Sequence, residues 1–503
     1  MAVYKRPGIY ISERLLTAPI AAAGNATAAG AVAAPFASGP TTATLVNSWY
    51  EFTKLFGGYN SSFPATFQVA AFFQNGGREL YVKRILASDA VASTVVVGRA
   101  TGTGNVLAVA AKNRGTDGNN LRVKLTAGNA GAGYYDFAVY KEGVAGTGSD
   151  ITNDVLLESY ENIVLTPATS SDYIETVVNQ FSQNVIVDVV DEANAPSTNV
   201  FPLTGGSNGA TIVASDYETT VAGSFSSIDR PLVLFLPSLD VTIGANAALS
   251  LYNSLAQWAA GDGKHFVVME TPELRNPTQA VAAANTASGY SHSAMYYPHY
   301  FIADPLGRSS SSIRKIGPSG AVAGLYMNTD ATTGPFKAPA GVTTRVAGAI
   351  AMERSFTSTE LDDMNAASTP VNAIRQIPGS GIVVMGARTL KQDGTANKYV
   401  NMRRSLIYIR KKCEDLSTFA LFENNDERLW ERISTALTAF LNEYANQGGL
   451  RGASPAEAFY VKVDAENNPD NLIAQGQVNI EVGVALQYPA EFVVITLSQK
   501  TAN

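Results

Sequence analysis

The chain has 503 residues, enough for three or four domains of ordinary size and for a core that needs no covalent staples. Apolar residues make up 46% and charged residues only 16%, which excludes global disorder and leaves few solvating groups for a chain this long, a composition suited to extensive subunit contacts. The 36 basic and 43 acidic residues leave a net charge of −7, against a nucleic-acid-coating role, and the single cysteine, Cys413, excludes an internal disulfide framework or a thiolate-rich metal site.

Residues 1–20 read as an extended arm: Pro7-Gly8 punctuates it, and Tyr4, Ile9, Tyr10 and Ile11 are β-type side chains without a helical period. Fully extended, twenty residues span up to about 65–70 Å, far enough to reach a neighbouring subunit. The Ala/Gly-rich stretch Leu15–Pro40 imitates a secretory signal, but Pro19, Asn25, Gly30 and Pro35 interrupt it, so neither secretion nor a membrane span is expected. From Trp49 the chain turns compact. Phe52, Leu55 and Phe56 have helical spacing, a second helix covers Ala65–Asn75 and stops at Gly76-Gly77, and Glu79–Leu86 is a strand.

Between about 90 and 205 the pattern changes to short Val/Thr-rich runs between glycine-bearing turns, such as Ser93–Val97, Leu121–Leu125, Asp136–Tyr140 and Val185–Val189. This is the signature of a β-sandwich-like insertion. Beyond it, apolar strands alternate with helices: Pro231–Pro237, helix Ala245–Ala260, His265–Met269, helix Thr278–Ala287 and the aromatic run Ala294–Ile302. That alternation predicts a parallel sheet covered on both faces. Gly317–Gly341 reads as a loop with an embedded short helix. Further on, Tyr399, Met402, Leu406, Ile409 and Cys413 form one helical stripe, which puts Arg404 and Lys411 on the opposite face with Lys412 at its flank. A second helix begins near Asn424, buries Leu429, Ile433, Leu437, Phe440, Leu441 and Tyr444, and ends at Gly448-Gly449. Strands at Ala458–Val463, Gln477–Leu486 and Glu491–Leu497 close the chain.

The chemistry a catalyst would need is poorly supported. Gly205-Gly206-Ser207-Asn208-Gly209 fits the G-x-S-x-G pattern of a nucleophile elbow, but Phe201-Pro202-Leu203 is a poor strand to precede one and reads better as a domain junction. His265, His292 and His299 read as hydrogen-bonded strand-end residues, and Pro298 denies His292 and His299 a shared helical face on which to hold a metal. Gly261-Asp262-Gly263-Lys264 lacks the spacing of a phosphate loop, and Glu360, Asp362 and Asp363 read as solvated acids. No cofactor, metal or catalytic set is expected. One basic stretch stands apart from the acidic average: Lys398, Arg403, Arg404, Arg410, Lys411 and Lys412 lie together without an acid. It reads either as a solvated helix face or as a docking stripe for an acidic surface, and it has too few aromatics to stack bases.

Several segments, taken in order, resemble one family. Pro7-Gly8-Ile9-Tyr10-Ile11-Ser12-Glu13, Gly76-Gly77-Arg78-Glu79-Leu80-Tyr81-Val82-Lys83-Arg84, Gly317–Gly324 (GPSGAVAG), Lys337–Gly341 (KAPAG), Gly381–Leu390 (GIVVMGARTL, with Met385 where the family has tryptophan), Arg403-Arg404, Phe422–Asn425, Ala458–Val461 and Pro489–Phe492 are similar to motifs of the contractile phage tail sheath proteins. The resemblance implies a mixed α/β multidomain chain. Its parts would be an N-terminal arm at 1–20, the N-terminal part of the core at 21–89, the β-rich insertion at 90–205, a subtilisin-like α/β domain without catalytic residues at 206–390, and an α+β C-terminal sheath domain at 391–503.

The same resemblance implies hexameric rings stacked helically around a tail tube. Rings would be linked by exchange of the N-terminal strand (Pro7, Gly8, Ile9, Tyr10, Ile11) and the C-terminal one (Phe492, Val493, Val494, Ile495, Thr496, Leu497). Arg404, Lys411 and Lys412 are the expected tube-facing residues. The implied partners are other copies of the chain, the tail tube protein, and baseplate and tail terminator or neck proteins, in a virion tail assembled in the host cytoplasm, with no nucleic acid and no membrane insertion. A self-assembling capsid or shell protein is the rival reading, and a serine hydrolase using Ser207 a more remote one.

Overall fold

A computed structural model describes residues 28–143, 151–166, 171–273, 275–287, 289–307, 312–392 and 396–491. By contact density the chain divides into two compact units, one formed by 1–32, 67–81 and 226–503, the other by 33–66 and 82–225.

The first unit is organised by parallel strands. Ala29–Ala34, Leu232–Phe235, Phe266–Glu270, Ser293–Tyr297 and Val371–Ile377 lie side by side in that order, and Gly381–Val384 adds an antiparallel strand beyond the last. Leu232–Phe235, Phe266–Glu270 and Ser293–Tyr297 are buried at every position, inward and outward alike. Both faces are therefore covered, as continuous apolar strands without alternation require. Helices Ala245–Asp262, Pro277–Ala287 and Ser358–Ala366 pack in sequence, and Ser319–Thr332 packs on strands Leu232–Phe235 and Phe266–Glu270. The mixed α/β expectation holds for these elements. Two details differ. The aromatic run is not one strand: Ser293–Tyr297 ends before Pro298, which has no N–H for the ladder, and Tyr300–Ala303 joins a separate antiparallel sheet.

The second difference is at Gly317–Gly341, where the structure has a 14-residue helix buried along most of its length. Glycines that read as loop formers serve instead to bring two helices together. A Cβ on Gly320 would lie 2.2 Å from the Gln68 carbonyl oxygen, and one on Gly324 2.3 Å from that of Phe72, both on helix Ala65–Gln74. Only residues without a side chain permit that approach.

A buried carboxylate sits where these elements meet. Glu270, the last residue of its strand, accepts N–H bonds from Ser238 (2.9 Å) and Ser319 (3.1 Å), and Gln68 Nε2 donates to it at 3.1 Å. Ser238 and Ser319 both stand at the starts of helices, so the carboxylate satisfies orphan donors of each. Burial pushes the Glu270 carboxyl above its ordinary pKa.

The second unit contains two antiparallel sheets. One has Thr94–Gly98, Asn105–Ala111 and Val185–Val189; the other has Val200–Pro202, Leu121–Ala127, Tyr134–Lys141 and Val155–Val164. Their inward residues, among them Val97, Leu107, Val109, Val123, Leu125, Phe137 and Val187, share a single core with helix Ile174–Phe181. Arg84 ties this unit to its N-terminal loop. It is 1% exposed, and its guanidinium donates to the carbonyls of Phe36, Ala37, Gly39 and Arg114 at 3.0–3.1 Å. Burial lowers its pKa to about 10.

Candidate assembly site

The C-terminal part of the first unit is built from two helices and a small sheet. Helix Val400–Ser417 is followed by Glu427–Asn446, which begins at the N-cap Asp426, whose side chain accepts from the Leu429 N–H. The predicted stripe of the second helix is buried at Leu429, Ile433, Leu437, Leu441 and Tyr444, with Phe440 only half-buried and Trp430 joining the set. Strands Phe459–Lys462 and Glu481–Val484 pair antiparallel, and among the described residues no third strand joins this sheet. The Tyr460 ring lies across Gly483, and its hydroxyl donates to Glu481 Oε1 at 2.8 Å. A two-stranded ribbon of four-residue strands is marginal alone, and backbone donors and acceptors along a strand edge can pair with a further strand.

After Val484 the chain runs as a strap held at successive residues. Ala485 N–H bonds to the Ala458 carbonyl (3.1 Å) and Leu486 bridges Leu450. Asn401 Nδ2 donates to the Gln487 carbonyl (3.1 Å), and the Tyr488 ring meets Tyr399 edge-on at 6.4 Å. At Glu491 the strap is gripped by Arg388, whose Nε and Nη2 donate to the two carboxylate oxygens at 2.7 and 2.6 Å, while the Tyr399 hydroxyl donates at 3.1 Å. Burial would raise the Glu491 pKa, but Arg388 outweighs it and holds the carboxyl below its ordinary value. Arg388 is itself fixed: Asn372 bonds its N–H and its carbonyl, both at 2.8 Å, and its Nη1 donates to the Asn365 carbonyl at 2.6 Å.

The basic stretch does not form an open face. Arg404 is 4% exposed, makes a two-pronged ion pair with the equally buried Asp330, and stacks its guanidinium 4.7 Å from the centroid of Tyr326. Lys411 is also buried and pairs with Asp229 (2.8 Å) and Asp415 (2.9 Å), which outweigh burial and raise its pKa. The expectation that Arg404 and Lys411 face a partner is thus corrected. A helix packed on several sides has no solvated face opposite its apolar stripe, and its charges are compensated within the chain. Arg403 donates to Asn397 and Arg410 to the Asp262 carbonyl. Lys412 is half-buried, with its ammonium 5.9 Å from the Tyr408 ring centroid. The strand-exchange residues Pro7, Gly8, Ile9, Tyr10 and Ile11, and Phe492, Val493, Val494, Ile495, Thr496 and Leu497, lie outside the described residues.

Ser207 forms a β-bridge with Val91, and its hydroxyl accepts from the Gly209 N–H; it belongs to the second unit, whereas all three histidines belong to the first. His265 accepts from Leu232 N–H at Nδ1 and stacks on Trp258, His292 is buried with its pKa lowered to about 3 by burial, and His299 Nδ1 lies 3.8 Å from Glu353. Among the described residues, no group of three or more His, Cys, Asp or Glu side chains could hold a metal ion, and no helix is long and apolar enough to cross a membrane.

Sheath proteins of contractile machines share this arrangement. The PVC sheath complex of an extracellular contractile injection system, in its contracted state, superposes with a TM-score of 0.60 at 20% identity, covering 99% of each chain. The sheath tail protein of Listeria innocua gives 0.61 at 15% identity, covering 92% of this chain and 96% of that one. The fold is therefore that of the sheath subunits of contractile machines. Residues 392–500 match the model of the phage tail sheath C-terminal domain, so the resemblance drawn from the sequence motifs is shown. The tail sheath protein of Vibrio phage KVP40 is 26% identical over 160 residues, 32% of this chain and 23% of that protein. That of Salmonella phage ViI is 25% identical over 125 residues, 25% and 19%. The matched stretches span about a fifth of those proteins' own length.

Proposed function

We propose that this chain is the subunit of a contractile sheath surrounding a tail tube. The observation that carries the reading is a sheath fold matched over nearly the full chain, together with a C-terminal sheet in which, among the described residues, only two short strands pair. In this reading the N-terminal arm around Pro7–Ile11 and the C-terminal segment Phe492–Leu497 of neighbouring copies add strands to that sheet. Rings of six subunits, stacked helically, thereby remain linked while each subunit rotates. A ladder of four to six backbone bonds, each worth about 0.5–1.5 kcal/mol net, is a tether and not a motor. The energy of contraction comes from the difference between a metastable extended lattice and a better-packed contracted one, reached by rigid-body movement between two sets of subunit contacts.

The parallel α/β region at 206–390 is read as a subtilisin-like body without catalytic function, and 90–205 as an inserted β domain carried on it. The role is structural, with no enzymatic step. Contraction would drive the tube through a host envelope, with baseplate and terminator proteins at the two ends of a virion tail assembled in the host cytoplasm. Lys412 is the member of the basic stretch proposed to face the tube.

Negative-stain electron microscopy of the concentrated recombinant chain tests this reading. Long hollow tubes of uniform width with a helical stripe are expected, with pelletable polymer lost on deletion of 1–20. Closed shells, or a monomer that stays monomeric even with the tube protein added, would overturn it.

A further inference from the structure

The strap 485–491 is held at successive points along its length. Within seven residues it engages Ala458, Leu450, Asn401, Tyr399 and Arg388, and the grip of Arg388 falls on Glu491. Bidentate Arg–carboxylate pairing fixes orientation as well as distance. Here the Arg388 side chain is 9% exposed and that of Glu491 22%, so the pair is shielded chiefly on the arginine side. Arg388 takes its own position from Asn372, whose Nδ2 also donates to the Met295 carbonyl at 3.2 Å, so the grip is referred back to the central parallel sheet.

We infer that Arg388, Tyr399 and Glu491 form a clamp that sets the register in which the C-terminal segment enters a neighbouring subunit's sheet. This rests on the strand-exchange reading given above. Side chains on a strand alternate between faces, so in an exchanged strand the face that Phe492, Val494 and Thr496 present, as against Val493, Ile495 and Leu497, is decided by residue count from a fixed point. With Glu491 fixed, that count begins at one defined atom set. With Glu491 free, the six residues Phe492–Leu497, about 20 Å when extended, can enter with either face inward. The clamp is a positioning device and contributes no strand of its own.

Four full-length variants test it: Glu491→Gln, Arg388→Lys, and insertions of one or two alanines after Glu491. Hydrogen–deuterium exchange on the unassembled chain reads the clamp directly, and Glu491→Gln and Arg388→Lys should speed exchange across 485–491 at least tenfold. Sedimentation and electron microscopy read linkage. Glu491→Gln and the one-alanine insertion should cut pelletable tubes at least tenfold, and the two-alanine insertion, which restores the alternation, should recover most of them. The one-alanine insertion leaves the clamp intact, so it decides the matter even if a clamp variant folds poorly. Unchanged exchange in the clamp variants, or equal tube yields from the one- and two-alanine insertions, would overturn the proposal. A wild-type chain that never forms tubes would instead overturn the sheath reading, and the clamp's purpose with it.

Discussion

Removing the Arg404 guanidinium discriminates between a residue that holds the fold and one that waits for a partner. Its side chain is 4% exposed and that of Asp330 2%, with two hydrogen bonds between them and the Tyr326 ring beneath the guanidinium. Arg404→Ala leaves a carboxylate buried without its cation, a change that costs about 3–5 kcal/mol. At about 2 °C per kcal/mol, suited to a large unit, differential scanning calorimetry should show the first transition lowered by roughly 6–10 °C. An exposed tube-facing arginine would shift stability by no more than about 0.5 kcal/mol. The double variant Arg404→Met/Asp330→Leu removes both charges while keeping volume, and replacement of a buried pair in this way is about neutral or stabilising. Its transition should return to within a few degrees of wild type. A shift below 2 °C for Arg404→Ala would refute the argument that this ion pair is structural.

Four further outcomes are expected. Gly324→Val pushes against the Phe72 carbonyl across the close helix pair and should lower stability by about 2 kcal/mol or more, whereas Gly223→Ala, on a helix with nothing within 4 Å of the new Cβ, should be neutral or stabilising by up to about 1 kcal/mol; chemical denaturation compares them. Arg388 holds the Glu491 pKa below its ordinary value, so the clamp's contribution is present above the ordinary carboxylate range and lost as pH falls through the lowered pKa. The exchange difference between wild type and Glu491→Gln at 485–491 should accordingly be large at pH 7 and shrink as pH falls below the ordinary carboxylate range. Lys412→Glu should leave the melting profile within about 0.5 kcal/mol of wild type while reducing co-assembly with the tube protein. Ser207→Ala should change neither assembly nor stability, and an active-site serine probe should leave the wild-type chain unlabelled.

Local patterning made most elements legible. Continuous apolar runs located Leu232–Phe235 and Phe266–Glu270, and the heptad-like spacing from Leu429 to Tyr444 located its helix within a few residues. Signals that depend on a distant partner were not legible. Gly317–Gly341 reads as a loop with an embedded short helix because it is rich in glycine and proline, and only the backbone of Gln68 and Phe72 lying across it explains a buried helix of 14 residues there. Arg404 and Lys411 fall opposite an apolar stripe, a position that means solvent on a helix with one neighbour; Asp330 and Asp229, 74 and 182 residues away, make it the interior of a larger packing. The clamp was half visible. Both of its segments, GIVVMGARTL and Pro489–Phe492, stood out as motifs, but nothing in spacing joins Arg388 to a carboxylate 103 residues on.

Glu270 gives the parallel sheet an unusual interior. In open α/β folds the crevice beyond the carboxyl ends of the strands is where ligands bind, because helix starts converge there with unused N–H groups. Here the end of strand Phe266–Glu270 supplies the acceptor itself, with Gln68 bound to Glu270 and to the Ser319 hydroxyl. The protein is in this sense its own ligand. A helix pushed at Ser319–Thr332 presses on the sheet through a bonded carboxylate and not across a solvent gap, so a load applied to one layer is handed on without a hinge between them.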